Sequence, residues 1–330
     1  MLQSAGLPYV YDQDPGIDRM MEELNFNDGL PLDAAQPLPF PFNQRSYCRY
    51  EPIEKRIESA RVLIVNDLLR EEGDLSEVAL REWGKSAGTH LARERQISGM
   101  ALENIARNVS RLVVKPDTHL VHLSEVTDAA REFEPDAVVM SGTLRDFDYY
   151  NPEHLDEFST FIHSTKIPVL GICGAHQLIA QSFGAKIVTL DNQEPNTRRD
   201  GRQVEYQYRF IRITAPEDPI FEGVNDTTSG IWQDYTTEAN ILRVWQNHGL
   251  QIDRIPEGFK LLATAYLCRN QMMVKRSEGQ LIYTVQFHLE KSFEDWNKNR
   301  TRWEHHNESR DGRIIFENFL REALNHRGGN

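Results

Sequence analysis

The segment Gly171-Ile172-Cys173-Gly174-Ala175-His176-Gln177 constrains this chain more than any other. The run before it, residues 166–170, is apolar and reads as a buried strand. The run after it, residues 177–184, reads as a short helix stopped by Gly184. A strand that turns straight into a helix leaves no room for large side chains two positions from the turn, and Gly171 and Ala175 meet that need. Such a turn pushes its central side chain outward, and the N–H groups of the new helix face any anion placed there. That central side chain is the thiol of Cys173, a candidate nucleophile.

The flanking pattern predicts what holds this unit. From Arg61 the chain alternates strand and helix. Residues 61–66 read as a strand. Residues 73–109 read as helical, in two pieces around Gly88. Residues 111–114 and 119–123 read as two strands and 125–133 as a helix. Residues 136–140 read as a buried strand ending in Ser141-Gly142, and 153–164 as a helix. Such alternation predicts a mostly parallel sheet covered on both faces, with ligands at the carboxyl ends of the strands. Residues 204–213, 261–265, 271–275 and 281–287 read as further strands, and the last delivers His288. Residues 1–58 lack periodicity, with Pro31, Pro37, Pro39 and Pro41 separating apolar anchors, and read as an irregular N-terminal arm before a domain over 59–330.

Composition removes several classes of function. A formal net charge of -13 argues against nucleic acid as a partner, because phosphate binding needs a basic face. No apolar stretch approaches the roughly 20 residues that span a bilayer, and the first residues lack a basic region followed by an apolar one. Three scattered cysteines make neither a disulfide framework nor a zinc site. The expectation is a cytoplasmic protein with no membrane contact, no metal and no cofactor. Cys48 and Cys268 are expected to be inert.

A thiol nucleophile needs a base and a group to orient that base. Residues two apart on extended chain share a face, so His288 and Glu290 in Gln286-Phe287-His288-Leu289-Glu290 can pair as imidazole and carboxylate. With these residues in view, the chain resembles the class I, or triad, glutamine amidotransferases, whose elbow reads G-x-C-x-G-x-Q and whose later signature reads Q-F-H-P-E. Gln246-Asn247-His248-Gly249 followed by residues 255–259, the pair Glu205-Tyr206, and residues 312–320 are similar to three further family segments, in the family's order. The resemblance covers roughly residues 61–321.

The resemblance implies a flavodoxin-like three-layer α/β sandwich with a mostly parallel central sheet and a small β extension. It implies that Cys173 attacks the side-chain amide of glutamine, that His288 is the acid and base, and that Glu290 orients His288. Gly142, Thr143 and Gly174 would form the oxyanion site. Gln177, Asn247 and His248 would help hold L-glutamine or a γ-glutamyl analogue, mostly through the main chain. Ammonia would pass to a synthetase or other acceptor enzyme. Three positions depart from the family pattern: Ala175 at the second elbow glycine, Leu289 at the usual proline, and Thr143 in the oxyanion loop, where a β-branched residue resists positive φ.

Two other functions fit the same residues: hydrolysis of a different γ-glutamyl compound or amide, and a non-catalytic binding or regulatory role. His176 reads as a structural residue on the first helical turn. Asp146, Asp148, Tyr149 and Tyr150 read as an acidic surface loop, with the mouth of the pocket as the alternative. His305-His306 reads as a solvated face, and residues 291–311 as a surface helix or partner contact.

Overall fold

The computed structural model describes residues 54–197, 199–224, 240–277, 279–291 and 310–328. The chain begins with strand β1 (Ile57–Asn66), then helices α1 (Glu77–Trp83) and α2 (Ala87–Leu112), strand β2 (Val113–His122), helix α3 (Val126–Phe133) and strand β3 (Ala137–Met140). Helix α4 (Pro152–Ser164), strand β4 (Val169–Ile172) and helix α5 (Gly174–Ser182) follow. Strands β5 (Ile187–Thr189), β6 (Glu205–Ile213), β7 (Ile241–His248), β8 (Leu250–Ile252), β9 (Lys260–Thr264), β10 (Met272–Ser277) and β11 (Gln280–Val285) precede helix α6 (Arg310–Gly328).

Nine strands form one sheet in the order β2-β1-β3-β4-β11-β10-β9-β6-β7, while β5 and β8 pair as a separate ribbon. Every pair from β2 to β11 is parallel. Every pair from β11 to β7 is antiparallel. The predicted α/β sandwich with a parallel core is therefore present, and its β extension continues the same sheet.

Alternation along β1 explains the layers. Val62 and Ile64 face one core together with Ile105, Val109 and Leu112 of α2 and Phe316 and Phe319 of α6. Leu63 and Val65 face the other core with Ala79 of α1, Ala130 of α3, Phe158 of α4 and Leu178 of α5. Residues 62–65 are wholly buried, as a parallel strand covered on both faces requires.

The local expectations need three corrections. The long helical stretch breaks at Gly84, where φ is +47°, while Gly88 lies inside α2; glycine supplies the positive φ that ends α1. The two strands expected at 111–114 and 119–123 are one strand, β2, with Pro116 inside it. Proline is tolerated there because β2 is an edge strand paired only to β1. Helix α5 starts at Gly174, directly after the turn, three residues earlier than expected. Strands β5, β7 and β8 are additions to the expected pattern. Cys48, His305, His306, nearly all of the arm and residues 292–309 lie outside the described residues.

Candidate active site

Strand β4 ends at Ile172 and α5 begins at Gly174, so Cys173 alone makes the turn. Its φ of +52° and ψ of -101° are rare for a side-chain-bearing residue and cost about 1–3 kcal/mol. The Cys173 N–H donates to the Val285 carbonyl at 2.7 Å, tying the turn to the end of β11. Gly174 lies so close to Thr143 that a β-carbon there would overlap the Thr143 hydroxyl and amide. The elbow and the loop after β3 are thus packed backbone to backbone.

His288 arrives from β11. Its N–H donates to the Trp245 carbonyl at 2.8 Å, which links the turn after β11 to β7. Its Nδ1 lies 2.7 Å from Glu290 Oε1. Asn108 of α2 donates to the Glu290 carbonyl at 2.7 Å and anchors the far end of this short segment. A β-carbon added to Gly142 would lie 3.3 Å from both Cys173 Cβ and His288 Cε1, so this glycine of the loop after β3, the thiol and the imidazole share one corner.

The electrostatics follow from that crowding. Burial disfavours the charged imidazole of His288. The charges of Glu290 and Cys173 and hydrogen bonds to both outweigh it and raise its pKa to about 10. Burial likewise disfavours the Glu290 carboxylate, but His288 holds its pKa below the ordinary value. Such a line of thiol, imidazole and carboxylate can move a proton to and from a group attached to the sulfur.

In the loop after β3, Ser141 Oγ accepts from the Asp67 N–H at 3.0 Å and donates to the Gly142 carbonyl at 3.2 Å. Gly142, Thr143 and Gly174 thereby lie beside Cys173. The three residues expected to hold substrate are placed differently from one another. Gln177 is buried, and its amide donates to the Leu250 carbonyl at 2.9 Å and to Gln286 Oε1 at 3.1 Å. His248 is also buried. Its Nδ1, 2.9 Å from the Leu250 carbonyl, must carry a proton, and its Nε2 meets Glu205 at 3.2 Å. Asn247 is half-buried and brings its carbonyl to 3.9 Å from Cys173 Sγ.

His176 is wholly buried against Thr284, with Nδ1 2.7 Å from its hydroxyl. Burial, then the neighbouring His248, pushes its pKa down to about 3. Burial pushes the Cys268 thiol up. The acidic-loop expectation is overturned for Asp146, Tyr149 and Tyr150, which are buried. Arg202 and Arg199 neutralise Asp146, and Arg199 also binds Asp148 at 2.6 Å. A loop rich in carboxylates reads as solvated unless its cations are known, and these cations lie some 50 residues away in sequence. The sequence motif around His288 gives Gln286 no role, yet its amide reaches the Cys173 sulfur at 3.7 Å.

Among the described residues no helix is long and apolar enough to cross a membrane. A sequence model of the family described as glutamine amidotransferase class-I matches residues 99–305. One relative is a subunit of the glutamine-hydrolyzing GMP synthase of Thermococcus kodakarensis. It is 34% identical over 139 residues, covering 42% of this chain and 55% of the relative. The glutamine-hydrolyzing GMP synthase of Edwardsiella ictaluri is 28% identical over 192 residues, covering 56% of this chain and 31% of the relative. The chain thus spans about half of the one and about a third of the other. A crystal structure from Thermoplasma acidophilum, described as a GMP synthase subunit, superposes with a TM-score of 0.50. At 22% identity it covers 82% of this chain and 96% of its own, a likeness of fold. By the extent of the family match, this chain belongs to the glutamine amidotransferase class-I family.

Proposed function

We propose that this protein hydrolyses the side-chain amide of glutamine through a Cys173 thioester and passes the ammonia to a synthetase partner. The observation that carries the reading is the Cys173–His288–Glu290 line at the ends of adjacent parallel strands β4 and β11, with its 2.7 Å imidazole–carboxylate contact. At neutral pH His288, raised to about 10, holds both ring protons. The sulfur attacks the amide carbon, and the N–H groups of Gly174 and of the Gly142-Thr143 peptide receive the oxyanion. As the C–N bond breaks, the electron pair goes to nitrogen and His288 supplies the proton that completes ammonia. His288 then takes a proton from water, and hydroxide cleaves the thioester to glutamate. Glu290 keeps the ring oriented throughout. Asn247 and the main chain at Gln177 and His248 position the substrate.

The names of the relatives, glutamine-hydrolyzing GMP synthases, support glutamine as the amide. That one of them is named as a single component of its synthase supports a separate partner chain. Thr143 and the need to avoid wasting ammonia support slow hydrolysis by the lone chain. The test measures glutamate release by the purified protein, alone and with the product of each neighbouring gene, with Cys173→Ala as the blank. Stimulation by one partner, abolished in the blank, is expected. Turnover of γ-glutamyl amines with none of glutamine, with or without partner, would overturn the reading in favour of a different amidohydrolase.

A further inference from the structure

The buried amides beneath the elbow form a chain in which each member fixes the next. It starts at the Leu250 carbonyl, which can only accept. The Gln177 atom 2.9 Å from it must therefore be the nitrogen, Nε2. That same nitrogen lies 3.1 Å from the Gln286 amide, so the Gln286 atom facing it must be the oxygen, Oε1. With its oxygen committed, Gln286 turns its nitrogen to Cys173 Sγ at 3.7 Å, a normal separation for an N–H donor to sulfur. Both glutamines are buried, Gln286 completely, so water does not compete for these groups. The Gln286 N–H donates to the Gln271 carbonyl at 2.8 Å and holds the backbone of the donor as well.

We propose that Gln286 is a catalytic residue of this site: its side-chain N–H, aimed by Gln177, is a fixed hydrogen-bond donor to the Cys173 sulfur whenever that sulfur is anionic. The inference rests on Cys173 being the nucleophile. An N–H to a charged acceptor is worth more than one to a neutral acceptor, so the donor favours the anionic sulfur over the thiol and over the thioester. Gln286 reaches the sulfur from the interior, at the end of β11, and leaves the outer side to the substrate. It eases the second half of the reaction most, when the C–S bond breaks and the electron pair returns to sulfur. The carbonyl of Asn247, 3.9 Å away, accepts from the neutral thiol but offers nothing to an anion, so Gln286 joins His288 in favouring the anionic state, and does so as a neutral donor whose N–H does not titrate.

The test compares the wild type with Gln286→Met, which keeps the length and removes the donor, and Gln177→Met, which keeps the donor and removes what aims it. Iodoacetamide is the probe, and modification of the Cys173 peptide is followed by mass spectrometry from pH 5 to pH 10. Circular dichroism and thermal melting check the fold. Gln286→Met is expected to alkylate about tenfold more slowly at pH 6–7, with its pH profile displaced upward by about one unit. Gln177→Met should show a smaller displacement of the same sign. A Gln286→Met profile superimposable on the wild type overturns the proposal. If Gln286→Met does not fold, Gln177→Met decides, and an unmoved profile there overturns it. Alkylation needs no glutamine, so the result stands even if the natural substrate proves to be another amide.

Discussion

The thiol and the imidazole reach the same corner from two unlike regions. Cys173 sits on the parallel half of the sheet, in a turn built by its immediate neighbours: β4 before it, α5 after it, and Gly174 against Thr143. His288 and Glu290 sit where that half meets the antiparallel half, on a segment with no regular structure of its own. Contacts remote in sequence hold it: the Trp245 carbonyl from β7, the Asn108 amide from α2, and Gly312 of α6 pressed on Leu289, where a β-carbon would lie 2.9 Å from the Leu289 carbonyl oxygen. The turn in one half of the site is encoded by consecutive residues, with a remote tie from the Cys173 N–H to the Val285 carbonyl, and the other half is clasped by the whole fold. Truncating the thiol should therefore act on chemistry alone, and damage to the clasp should act on chemistry and stability together.

The largest effect is expected from Cys173→Ala, which should lower turnover by about four orders of magnitude or more while leaving the melting temperature nearly unchanged; relief of the positive φ is not involved, since alanine shares it. His288→Ala should lose nearly as much turnover, since the two residues act as one unit. Initial-rate assays and calorimetry on the same preparations check both. Retained turnover in Cys173→Ala would remove the basis of the comparison.

Gly174→Ala comes next. The added carbon overlaps the backbone and side chain of Thr143 and forces the loop after β3 to shift, displacing a proposed oxyanion donor, so kcat should fall by about 10²–10³-fold and stability should fall with it, by about 1–3 kcal/mol in urea unfolding. Gly312→Ala tests the remote half. Its carbon meets the backbone of Leu289, so turnover should fall by about tenfold, and the change should also cost about 1–3 kcal/mol of stability in urea unfolding. A Cys173→Ala variant that unfolds early, or a Gly312 variant that loses activity with full stability, would break the local-versus-clasped distinction.

The last prediction concerns pH and reads stability alone. The pKa of His288 is raised to about 10 in the folded protein, against an ordinary 6.5. Between those values the folded state binds the extra proton, so this contribution is full below about pH 6.5 and disappears as pH rises through about 10. Wild type and Glu290→Gln should differ most in stability near pH 6 and converge toward pH 10, as measured by denaturant melts across that range. A gap that widens with rising pH would contradict the assigned sign.

The same distinction explains what the sequence made legible. The elbow was readable because small residues, strand and helix are consecutive, and His288 and Glu290 were readable because two-residue spacing puts them on one face. The strand β7 that steadies His288 was missed. Its residues, Ile241-Leu242-Arg243-Val244-Trp245-Gln246-Asn247-His248, mix faces, because one side packs in the core while the ends serve the site. Neither the role of Gln286 nor the pairing of Asp146 and Asp148 with Arg199 and Arg202 follows from local pattern, since each depends on partners at least 50 residues away in the chain. Among the helices, the alternating pattern gave their presence and rough extent, but the break at Gly84 depended on a backbone angle that no pattern of side chains reveals.

Strand β11 belongs to the last part of the chain, yet it lies in the middle of the sheet, between β4 and β10. A ribosome making this protein releases β4 and the elbow more than a hundred residues before it releases the strand that must dock beside them. Until then the Cys173 N–H has no Val285 carbonyl to bind, and the sulfur has neither imidazole nor Gln286 amide next to it. Closure of that central gap is a long-range event and slow by nature. The nascent chain therefore carries its cysteine without its partners, and the candidate site is assembled only when this late strand docks.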